Sequence, residues 1–408
     1  MKILIVCGVF AKENEAEVIA HAKGGVEFSA NLFQQKLIDG FRAADYDTQV
    51  LSAPFIGAYP MRSDLIRFTG FREAQSGYRY VSFHNTWGIR NPSRTKALKK
   101  EIRAFAEDPD ADKLIVVYCP HTPFLEAAVY AKKLDPRIKI CLYVPDLPNY
   151  MNLSEKRSRI YDFFKKYDIA AMTRLMAQVD SFVLLTEQMK DMLPVGGKPC
   201  TVVEGIIPDG IPRACEAVKG ASSSVKNIVY TGKMNRKFGI PELLAAFSLL
   251  KDPDYRLILC GQGDCDGCVT EAAVRDPRIR QMGQLRPEEV SQLQYSAAVL
   301  VNPRPNNEAY TKYSFPSKNI EYLLSGRPVA AYLLDGMPGA YASFLYPIGS
   351  RTEDAPKNIA AALEAALSAA EAEQAEKYRL FWEYAKENLM ASNVAKAIAD
   401  MSLKSEER

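Results

Sequence analysis

The chain has 408 residues, 48% of them hydrophobic and 25% charged, and a formal net charge of +3. A single hydrophobic core stops growing near ~250–300 residues, so the length implies two domains, and the composition is that of an ordinary globular chain. The small net charge argues against a nucleic-acid partner; the excess falls in the first half, where residues 1–208 carry 28 Lys and Arg against 24 Asp and Glu.

The opening MKILIVCGVFAKENEAE does not read as a secretory signal: its apolar run is short, no small-residue cleavage site follows, and acidic residues come at once. Continuous Val-, Ile- and Leu-rich runs at 3–9, 113–119, 139–144 and 181–186 read as strands buried on both faces of a parallel sheet. Helical patterns at 25–43, 94–107, 123–134, 156–179 and 187–193 separate them. Residues 207–226, rich in Pro, Gly and Ser and without periodicity, mark the break between domains, placed at 1–208 and 209–384. Strand-like runs at 227–231, 255–260, 279–282, 297–302 and 329–333 then alternate with helical patterns at 241–250, 286–295, 317–325 and 355–371, and one or two amphipathic helices fill 374–403. Such alternation predicts right-handed β-α-β units, hence an α/β chain with two doubly wound sheets. No run of about 18 apolar residues occurs, so no membrane span is expected. Four of the eight cysteines (Cys7, Cys119, Cys141, Cys260) sit in strand-like runs as small hydrophobes, which points to a reduced, cytoplasmic protein.

Doubly wound sheets bind ligands beyond the carboxyl ends of their strands, so the loops after strands are the places to look. Three stand out. In YTGKMNRKFGIPELLAAF (230–247), Gly232 allows a tight turn, and Lys233, Arg236 and Lys237 precede a helix start, a pattern suited to a diphosphate and also that of a solvated basic loop. In CGQGDCDGC (260–268), Gly261 and Gly263 let backbone approach a flat ligand. Cys265 and Cys268 form a CxxC with no second pair or nearby His to complete a zinc site, and read as structural thiols; no metal is expected. In VLVNPRPNNEAYTKYSFPSKNIEYLLSGRPVAAYL (299–334), a strand ends at Asn302-Pro303 and a helix starts at Pro316-Ser317, with Ser317 as N-cap, and stops at Gly326. Ser314 to Lys318 put N–H groups and a cation where a phosphate can bind, and Glu321 lies one turn further in, placed for ribose hydroxyls or simply for solvent. His121 follows the run KLIVVYC, again beyond a strand end, and a lone His there also reads as structural.

The segments YTGK…FG…ELLAAF, LILCGQG, MGQLRPEEVSQLQYSAAVLVNPR and SFPSKNIEYLLSGRPV resemble, in order, the C-terminal domain of retaining GT-B glycosyltransferases, the group similar to glycogen synthase and bacterial polysaccharide glycosyltransferases. The likeness runs over about 227–335, and MKILIV…KGGVEFSANLFQQKL resembles the first strand, Gly-Gly loop and helix of such enzymes. The resemblance implies a GT-B fold, two Rossmann-like domains facing across a cleft, with the C-terminal helix (about 385–408) crossing back to the N-terminal domain. It implies that Lys233 contacts the donor diphosphate, with Gly232 and Gly261 at its turns; that Glu321 holds the ribose; and that Gly24 and Gly25 approach the diphosphate from the other domain. The second basic residue of the family would fall at Phe238, which leaves Arg236 or Lys237 to replace it. The first Glu of the family's pair, which reads the donor sugar, would fall at Tyr313, with Glu308 five residues earlier. In the FPSK-x-x-EY variant, which also lacks that Glu, Lys318 is the implied phosphate contact, beside Ser314 and Ser317. His121 is the remaining candidate for catalysis.

The function so implied is transfer of a hexose, from a UDP-sugar by preference, to a glycan or lipid-linked glycan with retention in cell-surface polysaccharide synthesis, without metal or other cofactor. Residues 62–103 hold ten Lys and Arg among Phe68, Phe71, Tyr78, Tyr80, Phe83 and Trp87, and 154–167 repeat the mixture, a surface suited to anionic lipid or to plain solvation. Two other classes stay open: a GT-B-fold UDP-sugar epimerase, and a non-catalytic sugar-nucleotide-binding protein. A dehydrogenase is excluded by GVFAKE, where a GxGxxG would follow the first strand.

Overall fold

The computed structural model describes all residues except 25, 27, 74–75, 110–111, 149–158, 214–224, 350–353 and 404–408, with backbone only for 159–165. The chain divides into two compact units, Met1–Gly210 with Glu387–Arg408, and Ile211–Lys386.

The first unit is built on β1 (Lys2–Cys7), β2 (Asp47–Ser52), β3 (Arg67–Phe68), β4 (Arg72–Glu73), β5 (Tyr78–Tyr80), β6 (Phe83–His84), β7 (Lys113–Tyr118), β8 (Lys139–Val144), β9 (Ser181–Leu184) and β10 (Cys200–Val202). Its main sheet has the order β10-β9-β8-β7-β1-β2-β5-β4 and is parallel except for the β4–β5 pair. Helices α1 (Glu15–Ala20), α2 (Phe28–Ala43), α3 (Arg90–Ala106), α4 (Thr122–Leu134) and α5 (Arg159–Met176) connect the strands. Every residue of β7 is buried, as the unbroken apolar run KLIVVY requires. Lys113, its one cation, reaches Asp135 at 2.7 Å and donates to the carbonyls of Ala106 and Asp108 at 2.9 and 2.6 Å, satisfying groups at and just beyond the end of α3.

The second unit carries β11 (Lys226–Thr231), β12 (Tyr255–Cys260), β13 (Ile279–Gly283), β14 (Val299–Asn302), β15 (Val329–Tyr332) and β16 (Tyr346–Ile348), all parallel in the order β13-β12-β11-β14-β15-β16. Its helices are α6 (Ile240–Leu249), α7 (Asp266–Arg275), α8 (Pro287–Tyr295), α9 (Lys318–Leu324), α10 (Tyr341–Phe344), α11 (Ala355–Ser368) and most of α12 (Glu371–Asn388). The sheet order reverses between β11 and β14, which sets the switch point, and with it the expected ligand position, at the ends of those strands. No helix among the described residues is long and apolar enough to cross a membrane.

The amphipathic tail forms two helices rather than one. The second, α13 (Ala391–Leu403), belongs to the first unit and buries Val394, Ala395, Ile398 and Ala399 beside Leu37, Ile38 and Phe41 of α2. The 187–193 segment is a 3₁₀ turn (Glu187–Met192). Six elements carry too little periodicity to predict: β2, whose first half is polar and half-exposed, the four short strands between 67 and 84, and α7, which buries only Val269.

The approach of α13 to α2 depends on Gly40, where a Cβ would overlap the carbonyl oxygen of Ala391. Gly40→Ala is expected to lower unfolding stability by about 1–3 kcal/mol despite the better helix propensity of alanine, because backbone rather than a pliable side chain must shift. Urea denaturation measures this; an unchanged or raised midpoint would show that the two helices are not held at that distance.

Candidate functional site

The switch point of the second unit is assembled by one buried side chain. Tyr322 on α9 accepts the Thr231 N–H at 2.9 Å and donates to the Thr231 carbonyl at 3.1 Å, so the last residue of β11 is bonded to the helix instead of ending free. Gln294 of α8 donates to the Thr231 hydroxyl at 3.0 Å, and Asn302, closing β14, donates to Asn319 of α9 at 2.7 Å. Burial pushes the Tyr322 phenol well above its ordinary value, so it stays a neutral donor and acceptor.

Beyond Thr231 the chain turns at Gly232, with φ +152°, and a Cβ at Gly261 (φ +134°) would overlap the Gly232 carbonyl oxygen. Gly261 is therefore required by backbone packing between adjacent strand ends, and Gly232 by its own positive φ. Lys318 crosses the same point: a Cβ at Gly232 would lie 2.5 Å from its Cε and 3.1 Å from its Nζ. Burial lowers the Lys318 ammonium below its ordinary value, against the smaller opposing pull of Glu321. Glu321 is exposed and receives only a 3.5 Å contact from Gln294. Lys233 is exposed, and its carbonyl accepts the Tyr230 hydroxyl at 2.8 Å.

The two replacements left open at 236 and 237 separate. The Arg236 guanidinium turns to Cys268 at 3.2 Å, while the Lys237 ammonium lies 5.2 Å from the Phe238 ring centre. Burial pushes the Cys265 thiol up to about 12, which keeps it protonated and inert in the core.

Some expected roles are corrected. Ser317 stands at the cap position of α9 but its hydroxyl makes no cap bond, and α9 has only seven residues, so an anion here would meet side-chain cations more than a helix dipole. Tyr313 is 8% exposed, its ring largely committed to packing. Glu308 is exposed on the loop after β14, where its carbonyl accepts the Thr311 N–H and hydroxyl.

A residue missed in the sequence sits among these. Arg304 donates to Ser314 Oγ at 2.7 Å, and its guanidinium lies 5.9 Å from the Phe238 ring centre and 5.6 Å from that of Tyr310. It follows a strand end, as ligand residues do in such sheets, but the run VNPRP reads first as a strand terminator.

In the first unit, His121 follows β7 through Cys119, which has φ +65°. Its ring packs on Phe124 at 4.6 Å and edge-on to Phe55 at 5.7 Å, and its Nδ1 is buried without a partner. Burial, then Arg94 and Arg90, hold it well below the usual imidazole range, so it is neutral at pH 7. Arg94 is 1% exposed and donates to the Pro54 carbonyl at 2.5 Å, which removes it from the expected basic surface; Arg72 and Arg79 are drawn to Glu101. Gly24 is exposed with open space where a Cβ would be, and Gly25 lies outside the described residues, as does much of the 154–167 stretch. A groove of about 850 Å³ between α3, α4 and α5, lined by Lys96, Lys99, Lys100, Arg103, Glu126 and Asp168, lies on the helical side of the unit and includes none of the expected donor residues. No cluster of three metal-ligating side chains is found among the described residues.

Residues 225–369 match the family model described as glycosyl transferases group 1. No curated protein matches the chain in sequence. Among solved structures, the chain is similar to the trehalose 6-phosphate synthase of Burkholderia multivorans, at TM-score 0.62 and 13% identity over 99% of this chain and 97% of that one. It is also similar to HepE of Anabaena in complex with UDP, at 0.60 and 14% over 99% and 100%, and to sucrose-phosphate synthase of Thermosynechococcus elongatus, at 0.59 and 15% over 99% of each. The fold is accordingly GT-B, with two Rossmann-like domains.

Tyr322→Phe keeps the packing and leaves the buried Thr231 N–H without its acceptor, at an expected cost of about 1–3 kcal/mol. Chemical denaturation of the variant checks the value; a loss below ~0.5 kcal/mol would mean that β11 and α9 hold their places without this bond.

Proposed function

We propose that the chain transfers a hexose from a nucleoside diphosphate sugar, with uridine the favoured base, to a glycan or lipid-linked glycan with retention at the anomeric carbon. The observation that carries this reading is the set of cations around Gly232: Lys233, Arg236, Lys237, Arg304 and Lys318 make no ion pair with a carboxylate among the described residues. Uncompensated cations at a sheet's switch point suit a ligand that brings two or more negative charges. The same charges would stabilise the departing nucleoside diphosphate as the glycosidic bond breaks, the part that a metal ion plays in other transferases. The match of residues 225–369 to group 1 glycosyltransferases supports sugar transfer, and the HepE structures with UDP and UDP-glucose favour uridine.

In this reading Glu321 accepts the ribose hydroxyls from its exposed place beside Lys318. Thermal-shift titration with UDP, GDP and ADP should show stabilisation, greatest with UDP. Glu321→Ala should weaken UDP by about 10- to 100-fold, the range of a hydrogen bond to a charged group, and abolish the difference between UDP and its 2′,3′-dideoxy analogue. No shift with any nucleoside diphosphate would overturn the proposal, and an inverted product anomer by NMR would overturn retention.

A membrane-facing acceptor is favoured by one surface of the first unit. Met61, Ile66, Trp87 and Ile89 are each at least half exposed, and Arg62 and Arg67 lie among them. The backbone brings these segments together, with Trp87 N–H donating to Tyr59 and Asn85 N–H donating to Ile66. Apolar side chains mixed with cations suit the headgroup region of an anionic bilayer. Because Trp382 is 3% exposed and Trp87 51%, a blue shift of emission on mixing with phosphatidylglycerol vesicles would report Trp87 entering the interface. The shift should fade with salt and with Arg62→Glu/Arg67→Glu; no shift and no co-flotation would remove the membrane from the proposal.

A further inference from the structure

We propose that Arg304 is a ligand of the donor's β-phosphate, a cation supplied from the loop after β14 to the site that Lys233 and Lys318 approach from β11 and α9. The inference rests on the nucleotide-sugar reading above and specifies which group holds the distal phosphate.

Four observations place it there. First, the loop is fixed against the 232–239 segment: a Cβ at Gly239, which has φ +81°, would overlap the Pro303 carbonyl oxygen, so the residue before Arg304 sits against the end of the basic loop. Second, the guanidinium is held between two aromatic rings, Phe238 and Tyr310, and by Ser314 Oγ at 2.7 Å, so three neighbours limit its rotation. Third, its Nε is buried with no hydrogen-bond partner, and among the described residues no carboxylate lies within 4 Å of the group. A half-buried guanidinium with a donor unspent is costly unless an anion completes it. Fourth, burial raises the Tyr230 phenol and the charge of Arg304 opposes that rise in part, and Tyr230 is bonded to the Lys233 carbonyl, which brings the cation to the same strand end.

An arginine differs from the lysines here in what it recognises. Its planar fork can give two parallel N–H bonds to one phosphate, whereas Lys233 and Lys318 act as point charges. Pre-orientation by two rings and a serine reduces the ordering cost on binding. Phe238 then has a positive role: it is the platform on which the cation rests.

The test compares UDP with UMP in titration calorimetry, for the wild type, Arg304→Gln and Arg304→Lys. The wild type should prefer UDP over UMP. Arg304→Gln should reduce UDP affinity by about 10- to 100-fold with UMP affinity changed less than about threefold, and Arg304→Lys should recover only part of the loss. Loss of UDP and UMP binding in equal proportion, or an unchanged preference, would overturn the assignment, because a structural brace has no reason to distinguish the two ligands. A wild type that binds UDP and UMP while Arg304→Gln keeps its preference rejects Arg304 alone; a wild type that binds neither rejects the nucleotide-sugar reading itself. Far-UV circular dichroism and thermal midpoints of both variants separate misfolding from a binding defect, and the lysine variant keeps the charge if the glutamine variant fails to fold.

Discussion

The second unit depends on how the end of β11 is tied. A strand that stops at a parallel sheet's switch point leaves its last N–H and carbonyl with no partner strand to continue the ladder, and a buried pair left so is expensive. One tyrosine hydroxyl meets both: Tyr322 is acceptor for Thr231 N–H and donor to Thr231 O. Because Tyr322 is on α9, the same bonds fix the helix that carries Lys318 and Glu321 to the strand that feeds Gly232 and Lys233. Asn302–Asn319 repeats the device between β14 and α9. The candidate site is therefore positioned by buried polar contacts beneath it, and the loops above need not position it themselves.

That arrangement allows like charges to be gathered where they repel. At an effective dielectric of about 20, two cations ~6 Å apart repel by roughly 3 kcal/mol, a cost of the size that rigid elements can hold. Lys318 carries a different cost, the loss of hydration: burial lowers its ammonium, and Glu321 offsets this only in part. An anion bound as proposed would act the other way: it would raise Lys318 toward its ordinary value and give Arg304 Nε the partner it lacks. Arg236, by contrast, has spent one guanidinium nitrogen on Cys268 and its backbone N–H on Asp264, and is the least available of the five.

The sequence made the sheets legible because strands buried on both faces cannot alternate polar and apolar residues, and KLIVVY, KICLYV and VLVN do not. It made the turn glycines legible for a similar reason: Gly261 serves backbone packing and Gly232 a positive φ, which only the residue type records. It was silent where the deciding contact is long-range. Nothing in YSFPSKNIEYLL separates Tyr322, whose hydroxyl reaches β11, from Tyr313, whose ring is largely buried. Cations gave the same difficulty. Ten Lys and Arg in 62–103 look alike as a string, yet Arg94 is buried under the Pro54 carbonyl and Arg72 and Arg79 face Glu101. Arg304 was hidden for the opposite reason: a lone arginine between two prolines carries no pattern, and its meaning comes from Phe238 and Tyr310, which lie elsewhere in the chain.

The loop between β14 and α9 separates two tasks. Its ends are tied down, Arg304 to Ser314, Thr311 to Glu308 and Asn306, and Asn306 to Asp335. Its apex, from 307 to 309, is exposed and carries the one carboxylate of the segment, Glu308. A loop cinched at the base and open at the tip can change the residue that meets a sugar without moving those that meet a phosphate. Tyr313 in the cinched part serves packing, and the exposed Glu308 is the side chain free to vary in direction. If phosphate is held by the braced Arg304 and Lys318 and the sugar is read at an exposed loop tip, the two tasks have different tolerances to change, which would let one scaffold keep a nucleotide while its sugar varies.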